Sequence, residues 1–341
     1  MKIAVFNDTR TGSKHIGCSV VMANLEELFK AADMEPVLYL AAGRDWRRHI
    51  ERLPKRGYLD AVIVNGEGTL HHSADSDRAD ILADVAAFAN EYLNVPAFLI
   101  NSTLFRNTPE LYKKLSEFDG IYVRDSFSRD ELKKNGLDGV VVPDMTFAVQ
   151  DVARNIADRK GVGATDSVYG NLSKEIKGAA KEFGWDYRSM AVPKWVEFQV
   201  RDVFRPFRLL GKIKRNVYER SVAQRTSFGT PEEFITWLKT KKLVITGRYH
   251  TVTLCLLTRT PFIALESNTP KISALLYDVF GTDRRIVSSI GDICTSNLSS
   301  YMKYEEDECK AINDFLLKSA EANMKMVMNI RATTQLARKG L

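Results

Sequence analysis

The stretch LVITGRYHTVTLCLLTRTPFIALESNTPK, residues 243–271, decides the fold class. Leu243–Thr246 is a β-branched apolar run closed by Gly247, and from Tyr249 to Thr258 apolar residues recur at helical spacing. Pro261–Leu265 is a second apolar run, and Asn268 or Thr269 followed by Pro270 supplies a cap and a first-turn proline for another helix. Two strand ends and two helix starts thus lie side by side. In an open parallel sheet that is the crevice where ligands bind, and helix N-termini there favour anions. Arg248, His250 and Lys271 fall at these ends. Arg248 offers a bidentate fork to a carboxylate or phosphate, and Lys271 a compact positive charge. His250, near the positive end of its helix, is expected to stay neutral at physiological pH and so to take or pass a proton. Singly, each has a plainer role: a capping or packing histidine, a surface ion-pair arginine, an exposed helix lysine. Together they favour an anion site.

Upstream, strands and helices alternate. Ile3–Phe6, Pro36–Leu40 and Ala61–Val64 read as strands, with Val20–Ala32 and Asp45–Leu53 as helices between them. Such alternation implies a parallel sheet with helices on both faces. The third strand runs into NGEGTLHH, residues 65–72. There Gly66 and Gly68 allow a tight turn beneath a ligand, and Asn65, Glu67, His71 and His72 are polar candidates at the strand end. The pattern is short of a full GxGxxG, so an ordinary βα turn fits equally well. The two histidines lack ligand spacing to a partner, and no metal is assigned. Next come a helix over Ala79–Tyr92, a strand over Ala97–Asn101, a helix over Pro109–Glu117 and a strand over Gly120–Val123 that ends at Arg124 and Asp125. Ser126–Asn135 is a helix capped by Ser126 and stopped by Gly136, and Val140–Val142 leads into Pro143 and Asp144. Arg124 and Asp144 close consecutive strands on one edge, either as site residues or with Arg124 tied to Asp125 or Asp144.

Residues 150–160 are polar and mark a boundary. The expected organisation is an N-terminal α/β domain over 1–155, a second α/β domain over 156–320 and a closing helix over 321–341, part of a helical stretch from Glu305 to about Arg338 that can reach back across both halves. The second half is read as a strand at Ser167–Tyr169, a helix at Lys174–Phe183, a strand at Tyr187–Val192, a basic segment, and a helix at Pro231–Thr240.

A chain of 341 residues with 45% hydrophobic content buries a full core. No stretch is apolar enough to span a bilayer, and MKIAVFND reads as a first strand rather than a signal peptide, so a cytoplasmic location is expected. Cys18, Cys255, Cys294 and Cys309 lack CxxC pairing, which argues against a zinc site or a disulfide framework, and Cys255 falls in an apolar helix as a core residue. The net charge of +6 concentrates in residues 201–225, where basic residues alternate with Phe204, Phe207, Leu209, Leu210, Ile213 and Val217. This suits an amphipathic helix, or two short ones, contacting an anionic membrane surface or a polyanionic acceptor, or else packed by the apolar stripe on its own domain. No nucleic-acid motif accompanies the charge, and no nucleic-acid partner is expected.

Two motifs carry a family resemblance. VRDSFSRDELKKNGLDGVVVPDMTF (123–147) resembles the VRD…S…L…G…DpaF stretch of the polysaccharide pyruvyltransferase family, and residues 243–281 resemble its R-x-H…gvP…pK…l…G stretch. HIGCSVV (15–21) is similar to that family's N-terminal glycine turn and VIVNGEGTLHH (62–72) to its first-domain glycine loop, so the likeness runs in order from about residue 3 to residue 281. It implies two Rossmann-like domains facing a cleft, as in GT-B glycosyltransferases, with the acceptor on the N-terminal side and the donor on the C-terminal side. It implies transfer of pyruvate from phosphoenolpyruvate to a saccharide as a ketal, with no cofactor beyond that donor. The acceptor would belong to a cell-surface polysaccharide or its lipid-linked precursor, met at the inner face of the membrane. By the same resemblance Arg124, Arg248 and His250 contact the donor, His250 is the acid/base, and Lys271 is structural or donor-binding. His15, Asn65, Gly66, Glu67, Gly68, His71 and Asp144 are acceptor or loop candidates. This chain departs from the family in having Asn65–Gly68 where many members have three glycines, and residues 191–225 have no counterpart. Two other functions share the architecture: glycosyl transfer from a nucleotide sugar, and non-catalytic binding of carbohydrate or anions.

Overall fold

The alternating pattern resolves, in a computed structural model, into two parallel sheets. The structure describes residues 1–12, 15–149, 158–190, 198, 205–226, 228–295 and 298–338. The first sheet is built from β1 (Lys2–Asp8), β2 (Glu35–Ala41), β3 (Ala61–Glu67), β4 (Ala97–Ser102), β5 (Gly120–Val123) and β6 (Val140–Val141), in the order β2-β1-β3-β4-β5-β6. The second contains β7 (Val162–Ser167), β8 (Asp186–Tyr187), β9 (Leu243–Gly247), β10 (Phe262–Leu265) and β11 (Ile286–Val287), in the order β11-β10-β9-β7-β8. Every pairing is parallel, which requires a crossover between neighbouring strands and explains the unbroken apolar runs of β1, β3 and β9. In each sheet the winding direction reverses once, between β1 and β3 and between β7 and β9. Those switch points are where a doubly wound sheet opens a crevice beyond its strand ends.

Among the described residues, two helices help to tie the halves together. The helix Ile16–Ala31 follows β1, yet its first residue joins the apolar core of the second half, and its Ile16 N–H donates to the Met190 carbonyl at 3.5 Å. The helix Glu306–Arg338 puts Ile312 and Leu316 in that core, then Met326, Val327 and Ile330 in the core beneath β1 and β3. Its start is anchored by a buried pair, Arg285 Nε to Glu308 Oε1 at 2.7 Å.

Several local expectations need correction. The strand expected at Ser167–Tyr169 is β7, which begins at Val162. Small residues hide it: a Cβ on Gly163 would sit 2.8 Å from the Trp237 ring, so the strand is built without the bulky residues that advertise a buried run. Residues 46–52 form a 3₁₀ helix capped by Asp45, and the helix after β3 spans Arg78–Ala87 before widening into a π-helical turn, Phe88–Leu93. The cap at the start of Ser126–Lys134 is Asp125, whose Oδ1 accepts from the Ser128 N–H at 2.7 Å. At Lys271–Phe280 neither Asn268 nor Thr269 caps; the Glu266 carboxylate accepts from the Ile272 and Ser273 N–H groups instead. The expected boundary at 150–160 and the strand at 187–192 lie partly outside the described residues.

Candidate functional site

The carboxyl ends of β1, β3, β7 and β9 face one another across a cleft of about 1170 Å³. The end of β3 forms its floor. Gly66 does not supply the turn, because it lies in the strand, where a Cβ would meet the Ser102 side chain and come within 3.1 Å of its Cα. The left-handed residue is Glu67, with φ +40°. Asn7 and Asn101, on the strands flanking β3, are left-handed too, at +67° and +57°. Asparagine tolerates this conformation, whereas for glutamate it costs about 1–3 kcal/mol, a cost that clusters at ligand sites. The surroundings hold Glu67 there: its carboxylate accepts from Thr9 Oγ1 at 2.5 Å, Asn65 Nδ2 at 3.0 Å and Cys18 Sγ at 3.2 Å. Asn65 in turn accepts from Asn7 on its carbonyl at 2.6 Å and from Asn101 on its side chain at 3.2 Å.

One wall carries the buried pair of Arg124 and Asp144, at 2.9 Å, whose side chains are 2% and 0% exposed. Arg124 Nε donates to Thr103 Oγ1 at 2.6 Å, and the guanidinium carbon lies 4.2 Å from the centroid of the Tyr249 ring. Burial opposes the Arg124 charge, but Tyr249 and the carboxylates of Asp144, Asp125 and Glu67 outweigh it and raise its pKa. Of the two pairings open in the sequence, Asp144 is the salt-bridge partner.

His250 sits in the first turn of the helix Tyr249–Thr258, with Nε2 3.8 Å from Asp144 Oδ2 and without a hydrogen-bond partner. Its pKa is lowered, chiefly by burial; Asp144 and Glu67 act to raise it, and Arg124 and Lys271 to lower it. The neutral ring expected from the helix terminus is therefore produced mainly by desolvation. The His15 ring lies 5.7 Å away, with Nδ1 likewise unpartnered and its pKa lowered by burial and by the charges of Arg248 and Lys271. Two orphaned ring nitrogens facing one cleft mark a place for a ligand.

Gly17 makes this arrangement sterically feasible. A Cβ there would stand 2.3 Å from both Cβ and Cγ of His250. Gly17→Ala is expected to cost about 1–3 kcal/mol of stability by overpacking. It should also push the imidazole out of place, so that turnover falls toward that of a His250 deletion while circular dichroism stays native.

Arg248 is held by Asp166, with Nε 2.9 Å from Oδ2 and a second, shorter contact from Nη2. Asp166 also accepts from the Met190 N–H at 2.8 Å. Lys271 is buried and donates to Asn268 Oδ1 at 3.0 Å, and the Asn268 amide reaches His71 Nε2 at 3.4 Å. Burial and the Arg124 charge lower the Lys271 ammonium to about 7. Burial, then Lys271 and His72, lower His71 to about 4. A Cβ on Gly68 would come no closer than 4.0 Å to Lys271 Nζ, so this bare backbone faces the lysine.

Of the residues singled out in the sequence, His15, Glu67, Gly68, His71, Arg124, Arg248, His250 and Lys271 line the cleft. Asn65, Gly66 and Asp144 stand one layer behind, supporting Glu67, Ser102 and Arg124 respectively. Asp166, Thr9, Tyr249 and Asn268 also serve the site, and no sequence pattern marks them for it. Asp166 lies on a strand, Val162–Ser167, that the sequence pattern places too late, at Ser167–Tyr169. A nitrogen from each of His15 and His250 and the Cys18 sulfur lie within 4.8 Å of one another, a grouping that sequence spacing does not reveal. The cations acting on these histidines, Arg124, Arg248 and Lys271, work against a divalent metal there and in favour of an anion.

The architecture is that of two Rossmann-like domains about a cleft, the GT-B class. It is similar to S. aureus MnaA in a co-structure with UDP (TM-score 0.54, 15% identity, 98% of this chain and 97% of that one). It is also similar to Methanocaldococcus jannaschii UDP-GlcNAc 2-epimerase in complex with UDP-GlcNAc and UDP (0.52, 15%, 97% and 100%) and to an uncharacterised protein of Klebsiella pneumoniae (0.50, 13%, 84% and 93%). At these identities the likeness concerns the fold alone. A search of curated proteins finds no match. The sequence profile of the polysaccharide pyruvyl transferase family matches residues 22–269, and the chain belongs to that family.

Proposed function

We propose that the protein transfers pyruvate from phosphoenolpyruvate to a saccharide as a ketal and releases phosphate. The observation that carries this reading is the convergence of Arg124, Arg248 and Lys271 with the unpartnered nitrogens of His15 and His250 in one cleft. Phosphoenolpyruvate presents a carboxylate and a phosphate, which call for at least two fixed cations, and arginine forks match both groups. A neutral His250 takes the proton of the first sugar hydroxyl as it adds to the enol carbon, and passes it to the methylene. The second hydroxyl then displaces phosphate, which leaves with that hydroxyl's proton. The acceptor is a unit of a cell-surface polysaccharide or its lipid-linked precursor, held against the N-terminal side of the cleft. The test is incubation with ¹³C-labelled phosphoenolpyruvate and a panel of surface oligosaccharides. A labelled ketal carbon with stoichiometric phosphate is expected, and label that stays in the donor with every acceptor argues against transfer.

Lys271 gives this reading a pH signature. The folded protein holds Lys271 less protonated than the unfolded chain does, so its contribution to stability rises with pH from about 7 up to the ordinary lysine range. An anionic donor beside it restores the charge. Binding measured calorimetrically at about pH 8, in buffers of different ionisation enthalpy, is expected to take up a proton in the parent and much less in Lys271→Met. Equal uptake in both would place the donor away from Lys271.

A further inference from the structure

One feature outside the cleft calls for a partner. The helix Pro206–Thr226 leaves Phe207 90%, Leu210 54%, Ile213 41% and Val217 64% exposed. At 100° per residue these four fall within one arc of about a third of the helix circumference, the width of an apolar stripe. Between Phe207 and Val217 only Leu209 among the apolar residues is half-buried, so the stripe is not packed on the protein's own body. Lys214 lies within that arc, and Arg205, Arg208, Arg215 and Arg220 stand around it, all exposed. Residues 205–226 hold seven Arg or Lys against Glu219 alone, a net +6, as large as the net charge of the whole chain.

We propose that this helix docks the protein on an anionic lipid bilayer, with the stripe in the headgroup layer and the basic residues against lipid phosphates. An exposed apolar stripe on a strongly basic helix of low overall hydropathy is the signature of an interfacial helix. Charge selects the anionic leaflet. A soluble polyanion would engage the basic residues but leave Phe207, Leu210, Ile213 and Val217 in water, so the stripe decides for a bilayer. No helix among the described residues is long and apolar enough to cross one, so the contact is with its surface. Upstream of the helix in sequence, Met190 is bonded to Asp166, the partner of Arg248. On the pyruvyl-transfer reading, on which this last consequence alone rests, docking brings a lipid-linked acceptor to the cleft.

The test is co-sedimentation of the full chain with phosphatidylglycerol/phosphatidylcholine vesicles and with phosphatidylcholine alone. Binding to the anionic vesicles only is expected, with loss at about 1 M salt, where the Debye length is about 3 Å. Two triple variants separate the contributions: Phe207→Ser, Leu210→Ser, Ile213→Ser for the stripe, and Arg208→Glu, Lys214→Glu, Arg215→Glu for the charge. Each is expected to weaken partitioning about tenfold or more. The substituted side chains are exposed, so circular dichroism and activity on a water-soluble acceptor should be unchanged. Failure to bind anionic vesicles, equal binding to neutral ones, or binding that survives loss of the stripe would overturn the proposal. Retention on a polyanionic resin without vesicle binding would overturn it too. Activity on a soluble acceptor without docking would refute only docking, and docking without any transfer only the pyruvyl reading.

Discussion

Arg124→Ala is expected to destabilise the fold by about 3–5 kcal/mol and to abolish donor binding, the first effect measurable by urea unfolding. The reason is the company Arg124 keeps. Asp144 is fully buried, and burial works to raise its pKa; its neighbours His250, Arg124 and the Thr146 N–H more than offset this and hold it below the ordinary carboxylate range. Without the guanidinium, Asp144 must either bear an uncompensated charge or take up a proton, and Thr103 and the Tyr249 ring lose their contacts. The double variant Arg124→Ala, Asp144→Ala should be less destabilised than the single one, because no charge is then stranded. With a lowered folded pKa, Asp144 stabilises the parent above its unfolded value, and that stability is lost as pH falls through the folded value. Arg124→Lys should not rescue, since a lysine cannot serve Asp144, Thr103 and the Tyr249 face in one plane. Parental stability in Arg124→Ala would show that the pair does not hold this edge of the sheet.

His250→Ala is expected to lower kcat by about 10²–10⁴-fold while the donor dissociation constant changes far less. The imidazole lies at the cleft with an unpartnered nitrogen, whereas the cations that hold the donor belong to other residues. Because burial lowers the His250 pKa, the acid limb of the kcat profile should fall below the ordinary histidine range, and this limb should vanish in the variant. Near-parental turnover in His250→Ala would remove it from the proton path.

Residues 243–281 were the most legible part of the chain because β-branched runs and helical spacing there agree with the buried strands and helices they form. Where space rather than hydrophobicity dictates the residue, the pattern was silent. β7 is assembled from Gly163, Ala164, Thr165 and Asp166 because Trp237 packs across Gly163. Glycine misled in the same way at Gly66, which answers the approach of Ser102, while Glu67 takes the left-handed turn under three hydrogen bonds. The candidate site was readable as charge at strand ends, which brought in Arg124, Arg248 and Lys271. Its supporting contacts join residues far apart in the chain, such as Asp166 to Arg248 and Gly17 to His250, and no spacing rule reports them.

Thermal unfolding of the parent and of Arg248→Ala, each with excess phosphoenolpyruvate or with a nucleotide sugar, tests the donor assignment most directly. A ligand at about a hundred times its dissociation constant adds about 2.7 kcal/mol to the folded state. The account predicts that phosphoenolpyruvate raises the Tm of the parent, that this shift disappears in Arg248→Ala, and that the nucleotide sugar has no effect. Stabilisation by the nucleotide sugar alone, or a phosphoenolpyruvate shift undiminished without Arg248, would contradict it.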